Sequence, residues 1–224
     1  MRGTRLTIAA SALVLVATSR ALAAQNFEGV SKFVIQHYGQ DEPDSVTQFT
    51  KGSKMRLEFA GKPGALVYDG TKWFTLFTDV KRYVIIPIMD TADAGPELGR
   101  KNGRATSTGK TSVIAGIKCE LWHFTGTGED GAAEVGDACL ARGAGFMVGR
   151  MSQDDMGRHA NAAGLAYEKA RASGMGVLGE TIDGKVVLTT LKAQPAPQAD
   201  ALFAIPPGYK ATTMKEIFKF KLKP

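Results

Sequence analysis

Histidine and cysteine are scarce in this sequence: its 224 residues include only three histidines and two cysteines. The histidines, His37, His123 and His159, are far apart, and none stands at a metal-binding spacing from a cysteine or another histidine. No G-x-S-x-G nucleophile elbow is present either. We therefore expect no bound metal, no cofactor and no enzymatic activity.

Nucleotide-binding motifs are also missing, although two glycine-rich segments approach them. The segment that ends in Gly109-Lys110-Thr111 has Arg104 where a phosphate-binding loop requires glycine. The segment 143–149 has Val148 where the third glycine of a dinucleotide fingerprint belongs. Both segments are interpreted as connections without a ligand.

Long hydrophobic runs are absent, apart from one near the N-terminus. Arg2 and Arg5 precede an apolar stretch at 6–17, which is followed by the cleavage-type triplet Ala-Leu-Ala at 21–23. The stretch is too short for an ordinary membrane span. This pattern predicts a cleaved signal peptide at 1–23 and localisation in the periplasm.

The remaining residues, 24–224, are predicted to form one soluble domain that does not span a membrane. The whole chain has a formal net charge of +6. Without the three arginines of the signal peptide, 25 basic residues face 22 acidic ones, a net charge of +3. That excess is too small to indicate a nucleic-acid partner.

The two cysteines flank a segment rich in glycine and threonine, which suggests a hairpin. If residues 125–133 are its loop, Phe124 faces Glu134 and Cys119 faces Cys139. Directly opposed Cα atoms on antiparallel strands are about 4.5–5.5 Å apart, within the range of a disulfide. Export to an oxidising compartment favours a bridge over two buried thiols. We predict a Cys119–Cys139 disulfide.

Alternation of apolar and polar residues predicts strands over much of the chain. It is strict in Lys54–Phe59. Asp-Gly pairs at 69–70 and 183–184 predict two hairpins with type I′ turns of two residues. The first turn places Leu66 opposite Trp73 and makes both faces of its hairpin apolar. One face can be ordinary core, so the other face must be covered by a helix or must line an enclosed cavity.

Together these patterns predict an α+β fold, a large curved antiparallel sheet in the form of a half-barrel, with one main helix at 152–172 covering the concave face. Residues 89–111 show no sustained period and are interpreted as a connecting segment. Strands are predicted at 27–38, 46–51, 54–59, 65–68, 72–77, 81–86, 177–182, 185–191 and on both sides of the cysteine hairpin.

Several runs resemble known families. KGSKMRLEF, LVYDGTKWFTL and KRYVI resemble the first half of the lipoprotein-carrier superfamily, the LolA, LolB and LppX-like proteins. The order KGSKMR, IAGIKCELW and FAIPPGY is similar to an exported bacterial family of unknown function thought to share that fold. The resemblance implies a half-open barrel with helical lids, in which Lys51 stands nearest the basic residue that holds the lid.

Apolar side chains on the predicted strands are the remaining candidates for function. They could be ordinary core, or they could line a cavity for a lipid, an acyl chain or a lipidated protein. On the second interpretation the protein is a periplasmic binding protein. The alternative is an envelope scaffold domain without a small-molecule ligand, with peripheral contacts made by the basic tail at 215–223. The cavity candidates are Met55, Leu57, Phe59, Leu66, Trp73, Phe77, Tyr83 and Trp122.

Overall fold

Twelve strands pair into one sheet in a computed structural model that describes residues 27–36, 42–86, 103–127, 131–142 and 162–221. Two helices accompany the strands, α1 (Ala162–Ala172) and α2 (Met214–Lys221). The strands β1 to β12 are, in chain order, Gly29–Ile35, Asp44–Lys51, Lys54–Phe59, Ala65–Tyr68, Trp73–Phe77, Arg82–Ile86, Arg104–Ile114, Ile117–Thr127, Ala133–Arg142, Met175–Ile182, Lys185–Pro195 and Lys210–Ala211.

The sheet consists of two antiparallel meanders joined by one long-range pairing. Its strand order is β12-β6-β5-β4-β3-β2-β1-β11-β10-β9-β8-β7. Strands β1 to β6 form one meander, and β7 to β11 form the other. They meet where β1 pairs with β11, with Gly29 opposite Pro195. At the other end of the first meander, β12 adds to β6 in parallel.

The α+β prediction is wrong, because the described chain is nearly all β and no main helix covers the sheet. Helix α1 has eleven residues and lies mainly against β7 to β10. Its buried side chains include Ala166 and Ala170, and small residues at this spacing allow a helix to approach a sheet closely. Gly174, with a positive φ of 62°, follows its last turn, where glycine commonly ends a helix.

Several predictions fall on residues outside the described ranges. They concern the signal peptide at 1–23, the first part of the predicted helix at 152–161, the glycine-rich link at 143–149, and two histidines, His37 and His159. The signal peptide and the periplasmic localisation therefore stay predictions.

Strand β7 contradicts the prediction that 89–111 is a connecting segment, since its residues from Arg104 onward are paired with β8. Nearly all of its side chains are exposed. A strand at the edge of a sheet with no buried face needs no apolar alternation, so its serines and threonines gave no strand signal. The rest of the predicted connection, up to residue 102, is not described.

The Cys119–Cys139 disulfide is confirmed, with a Cα–Cα distance of 5.4 Å. The predicted register is off by two residues, because Phe124 pairs with Gly136 and Leu121 stands directly opposite Cys139. A shift of two keeps both cysteines on the same face of the sheet. The bridge therefore spans a diagonal pair, which the twist of the strands brings within reach.

The two Asp-Gly turns differ. Asp183-Gly184 forms a two-residue turn between Ile182 and Lys185, with φ values of 48° and 75°, as a type I′ turn requires. The first turn instead has four residues, 69–72, so that Tyr68 pairs with Trp73. This prediction of register was wrong by two residues, which again leaves every side chain on its predicted face.

The Asp69 carboxylate explains the longer turn. Its Oδ1 accepts hydrogen bonds from the backbone N–H of Thr71 at 2.8 Å, the hydroxyl of Thr71 at 2.6 Å and the backbone N–H of Lys72 at 3.0 Å. Burial alone would raise the pKa of this carboxyl. The hydrogen bonds from Thr71 and Lys72 outweigh burial and hold the pKa below its ordinary value of 3.8.

Asp69→Ala is expected to lower the free energy of unfolding by about 1–2 kcal/mol at neutral pH, because the charged acceptor of this turn is lost. The folded-state pKa is depressed, so the stabilisation is complete above pH 3.8 and disappears as the pH falls through the lower folded value. Urea unfolding of both proteins across acidic pH measures the difference. Asp79→Ala is the control, since Asp79 is another turn aspartate and is exposed, but its Oδ1 accepts a hydrogen bond only from the N–H of the next residue, Val80, at 3.1 Å in the described chain. A difference that persists unchanged at the lowest pH would refute the explanation.

Candidate ligand-binding site

The strands β4 and β5 carry apolar side chains on both faces, as the sequence predicted. On one face, Ala65, Val67, Phe74 and Leu76 are buried together with Phe203, from the segment that follows β11. We call residues 198–211 the C-terminal strap. It contains the FAIPPGY run and a 3₁₀ turn at Asp200–Phe203. The strap covers this face, so one of the two apolar faces is satisfied by the chain itself.

Basic side chains on β2 and β3 hold the strap in place. Lys51 Nζ donates to the backbone carbonyl of Gln198 at 2.9 Å and to Asp200 Oδ2 at 3.1 Å. Lys54 Nζ donates to Asp200 Oδ1 at 2.8 Å, and Arg56 Nη1 donates to the carbonyl of Leu202 at 3.2 Å. Hydrogen bonds from Lys54 and Lys51 lower the pKa of Asp200. Lys51, the residue nearest the lid-holding position of the carriers, therefore holds the strap.

The opposite face of the same strands stays partly open. Tyr68 and Trp73 are cross-strand partners there, with ring centroids 5.1 Å apart. Both are only half-buried. We call this surface the open face; its side chains are Phe59, Leu66, Tyr68, Trp73, Thr75 and Phe77.

A cleft of about 440 Å³ opens beside this face, under the loop 60–64. Its walls include Phe59, Leu66, Thr75 and Phe77 from the open face. That volume lies within the usual range of small-molecule sites, roughly 300–1,000 Å³. The side chains of the walls are mostly aromatic or aliphatic, and their polar groups are the hydroxyl of Thr75 and the ammonium of Lys62. The cleft therefore suits an apolar chain.

Lys62 is the charged residue of the cleft lining. Its Nζ forms an ion pair with Asp44 Oδ2 at 2.8 Å and lies 5.4 Å from the centroid of the Phe59 ring. The ammonium is therefore already neutralised by a carboxylate. The cleft does not demand an anionic head group on its ligand.

Not all of the eight predicted cavity residues lie together. Phe59, Leu66 and Phe77 line the cleft, and Trp73 lies next to it on the open face. Met55 and Leu57 are on the same side of the sheet but are fully buried in the main core.

The two other predicted cavity residues lie elsewhere. Tyr83 is on the opposite face, packed against the strap cluster. Trp122 is on β8, with Lys169 Nζ 4.2 Å from the centre of its ring.

Lys62, Pro63 and Thr75 line the cleft but were not singled out from the sequence. The available signal was the run Gly61-Lys62-Pro63-Gly64 between two strands, which indicates a turn. Gly64 has a φ of 138°, and a Cβ there would collide with the carbonyl oxygen of Leu76. Glycine is therefore needed at this position for the loop to arch over the cleft.

The other polar side chains of the described ranges form no further site of recognisable chemistry. His123 Nδ1 and Asp137 Oδ1 are 2.8 Å apart on neighbouring strands, exposed to solvent. His123 is thus a strand histidine that forms a hydrogen bond at the surface. Within those same ranges, no three His, Cys, Asp or Glu side chains are grouped so that they could hold a metal ion. No described helix is both long and apolar enough to cross a bilayer.

Comparison with protein families identifies the chain. A family model described as "Domain of unknown function (DUF4412)" matches residues 27–209, well over half of the sequence. The chain belongs to the DUF4412 family. The match begins just before β1 and ends in the strap, so both meanders and the cleft belong to the family domain, while α2 lies beyond the matched residues. The prediction of a family of unknown function is confirmed.

Other comparisons add little to the DUF4412 assignment. No curated protein matches the chain. A solved structure of PNGF-II in space group C2 aligns with a TM-score of 0.44 and 9% identity, over 87% of this chain and 32% of that one. The chain thus spans about a third of the PNGF-II chain, and a likeness this weak supports no conclusion. Neither finding connects the chain to the lipoprotein carriers.

Proposed function

We propose that this DUF4412 protein is an exported periplasmic binding protein, without enzymatic activity, that holds an apolar chain of a lipid or lipid-modified partner. The observation that carries the proposal is the 440 Å³ cleft beside the open face. The sequence runs that resemble the lipoprotein carriers agree with this ligand class, and the signal-like segment at 1–23 agrees with export.

The difference in burial between the two faces of β4 and β5 supports this proposal. The strap buries Ala65, Val67, Phe74 and Leu76 almost completely. The open face is covered only in part. Side chains of the main core pack against it, yet four aromatic rings stay half-buried: Phe59, Tyr68, Trp73 and Phe77. Aromatic side chains contribute large contact areas at low entropic cost. A ligand that covers the open face therefore gains burial that the fold itself leaves unused.

The size of the cleft sets the expected affinity. If an acyl chain buries about 200 Å² of apolar surface, the gain is about 5 kcal/mol at roughly 25 cal/mol per Å². That free energy corresponds to a dissociation constant of about 0.2 mM, which is the tightest binding that this contact alone could give, because association also costs entropy. A ligand with further contacts along the open face would bind more tightly.

Thr75→Trp is expected to weaken binding of a fluorescent fatty acid at least about tenfold, because the new ring fills the cleft. Val186→Trp is the matched control, since Val186 is exposed on β11 and does not line the cleft. The measurement is a fluorescence titration of the folded proteins. Wild-type protein that folds but takes up no fatty acid, and that carries no extractable lipid when purified from a periplasm, would refute the proposed function.

The alternative is an envelope interaction domain without a small-molecule ligand. Strand β7 favours it, since it is an eleven-residue strand at one end of the sheet with mostly exposed side chains. Edge strands of this kind can pair with a strand from another protein. Under this alternative the fatty-acid titration is negative, and a substitution in the cleft leaves binding of the protein partner unchanged.

A further inference from the structure

Large apolar side chains are exposed at one end of the sheet. Eight such residues are exposed in the described ranges, and four of them are on β6 and α2: Ile85, Ile86, Met214 and Phe218. Strand β12 runs parallel to β6 with Ala211 beside Tyr83, and α2 begins three residues later. The start of the helix is thus near the end of β6 that carries both isoleucines.

Helix α2 is anchored by one buried side chain, and the other described side chains at 214–219 are exposed. Ile217 is only 2% exposed and attaches the helix to the rest of the protein. Met214 and Phe218 are 46% and 58% exposed. Because they are four residues apart, they lie on one side of the helix. Lys215 and Lys219 are also four apart and, at 3.6 residues per turn, point away from the Ile217 side.

The charge of this terminal segment is strongly positive. Residues 214–224 contain four lysines and one acidic residue, Glu216. Glu216 is engaged in capping the helix, since its Oε2 accepts hydrogen bonds from the hydroxyl of Thr212 at 2.6 Å and the backbone N–H of Thr213 at 3.1 Å. Lys81 and Lys210, at the same edge of the sheet, are exposed as well.

We propose that Met214 and Phe218, flanked by Lys215 and Lys219, dock the protein on an anionic lipid bilayer. A methionine and a phenylalanine on a short amphipathic helix insert among the acyl chains near the surface, while the lysines contact the anionic head groups. The helix need not reorganise, because Ile217 already fixes it with these side chains outward. This surface is separate from the cleft, so docking is independent of the proposed ligand.

Flotation with lipid vesicles tests the proposal on the full-length mature protein. We expect binding to phosphatidylcholine vesicles that contain phosphatidylglycerol, no binding to phosphatidylcholine alone, and loss of binding at high salt. Lys215→Gln with Lys219→Gln should weaken binding about fivefold per lysine. Met214→Ser with Phe218→Ser should weaken it about tenfold or more.

Matched controls at the other end of the sheet make the test specific. Val113→Ser with Val135→Ser removes two exposed apolar side chains on β7 and β9, and Lys110→Gln with Lys118→Gln removes two exposed lysines on β7 and β8. Both control proteins should bind like wild type, with unchanged thermal unfolding. Absence of binding to the anionic vesicles, or an equal loss in the controls, overturns the proposal. So does a helix variant whose only change is loss of self-association in analytical ultracentrifugation, since a second copy would then be the partner.

Discussion

Phe203→Ala is expected to lower the free energy of unfolding by about 3–5 kcal/mol, the range found for large-to-small substitutions of a fully buried phenylalanine. Phe203 is 2% exposed and belongs to the same cluster as Val67 and Phe74. Its removal leaves a cavity between the strap and the sheet. The strap cannot close this cavity easily, because Lys51 and Arg56 fix its backbone on the neighbouring strands.

The measurement is equilibrium unfolding in urea, with Phe218→Ala as the matched control. Phe218 undergoes the same change of side chain but is 58% exposed, so its substitution should cost less than about 0.5 kcal/mol. A cost below about 1 kcal/mol for Phe203→Ala would mean that the strap is not part of the cooperative core. Hydrogen exchange of residues 198–211 should then be fast in the wild type as well.

Removing the disulfide through Cys119→Ala with Cys139→Ala is expected to cost about 3 kcal/mol, because a cross-link over 20 residues restricts the unfolded chain. Alanine is the appropriate replacement, since both positions are buried beside Ala141 and Leu178 and a serine hydroxyl would need a partner. The loss should appear in urea unfolding as a lower midpoint.

A reducing agent provides the internal control for this second prediction. It should reduce the unfolding free energy of the wild type to about that of the double variant and leave the double variant unchanged. Equal stability of the two proteins under oxidising conditions would show that β8 and β9 are held by pairing and packing alone. The disulfide would then contribute nothing to the free energy of unfolding of the sheet.

Local patterns were sufficient where a segment has one buried face or a fixed turn geometry. Strand β3, Lys54–Phe59, was predicted with its correct bounds, because the alternation of Met55 and Leu57 with charged neighbours has only one consistent side to bury. The turn at Asp183-Gly184 was predicted because both residues tolerate positive φ. The disulfide depended only on which face the cysteines share, so it survived an error of two residues in register.

Predictions failed where a segment is stabilised by pairing or hydrogen bonds that its own local pattern does not reveal. Strand β7 has no buried face and is recognised only through its pairing with β8. The turn at Asp69 has the same Asp-Gly pair as the other hairpin, but Thr71 and Lys72 offer hydrogen bonds that favour a longer loop. The α+β fold class was wrong because it depended on one main helix at 152–172 as the cover of the sheet. The described helix, Ala162–Ala172, has only eleven residues, and an extended segment covers β4 and β5.

Two features could be derived from the sequence alone: both cysteines lie on one face of the sheet, and the hairpin of β4 and β5 is apolar on both sides. Both properties follow from the two-residue period of side chains along a strand, which can be recognised in a short stretch of sequence. Which side of this hairpin is covered depends on the fold, because the covering side chain is Phe203, more than a hundred residues away in the chain. An apolar stripe in the sequence predicts how much surface must be buried. It does not predict which distant segment buries that surface, because the hydrophobic effect is non-directional.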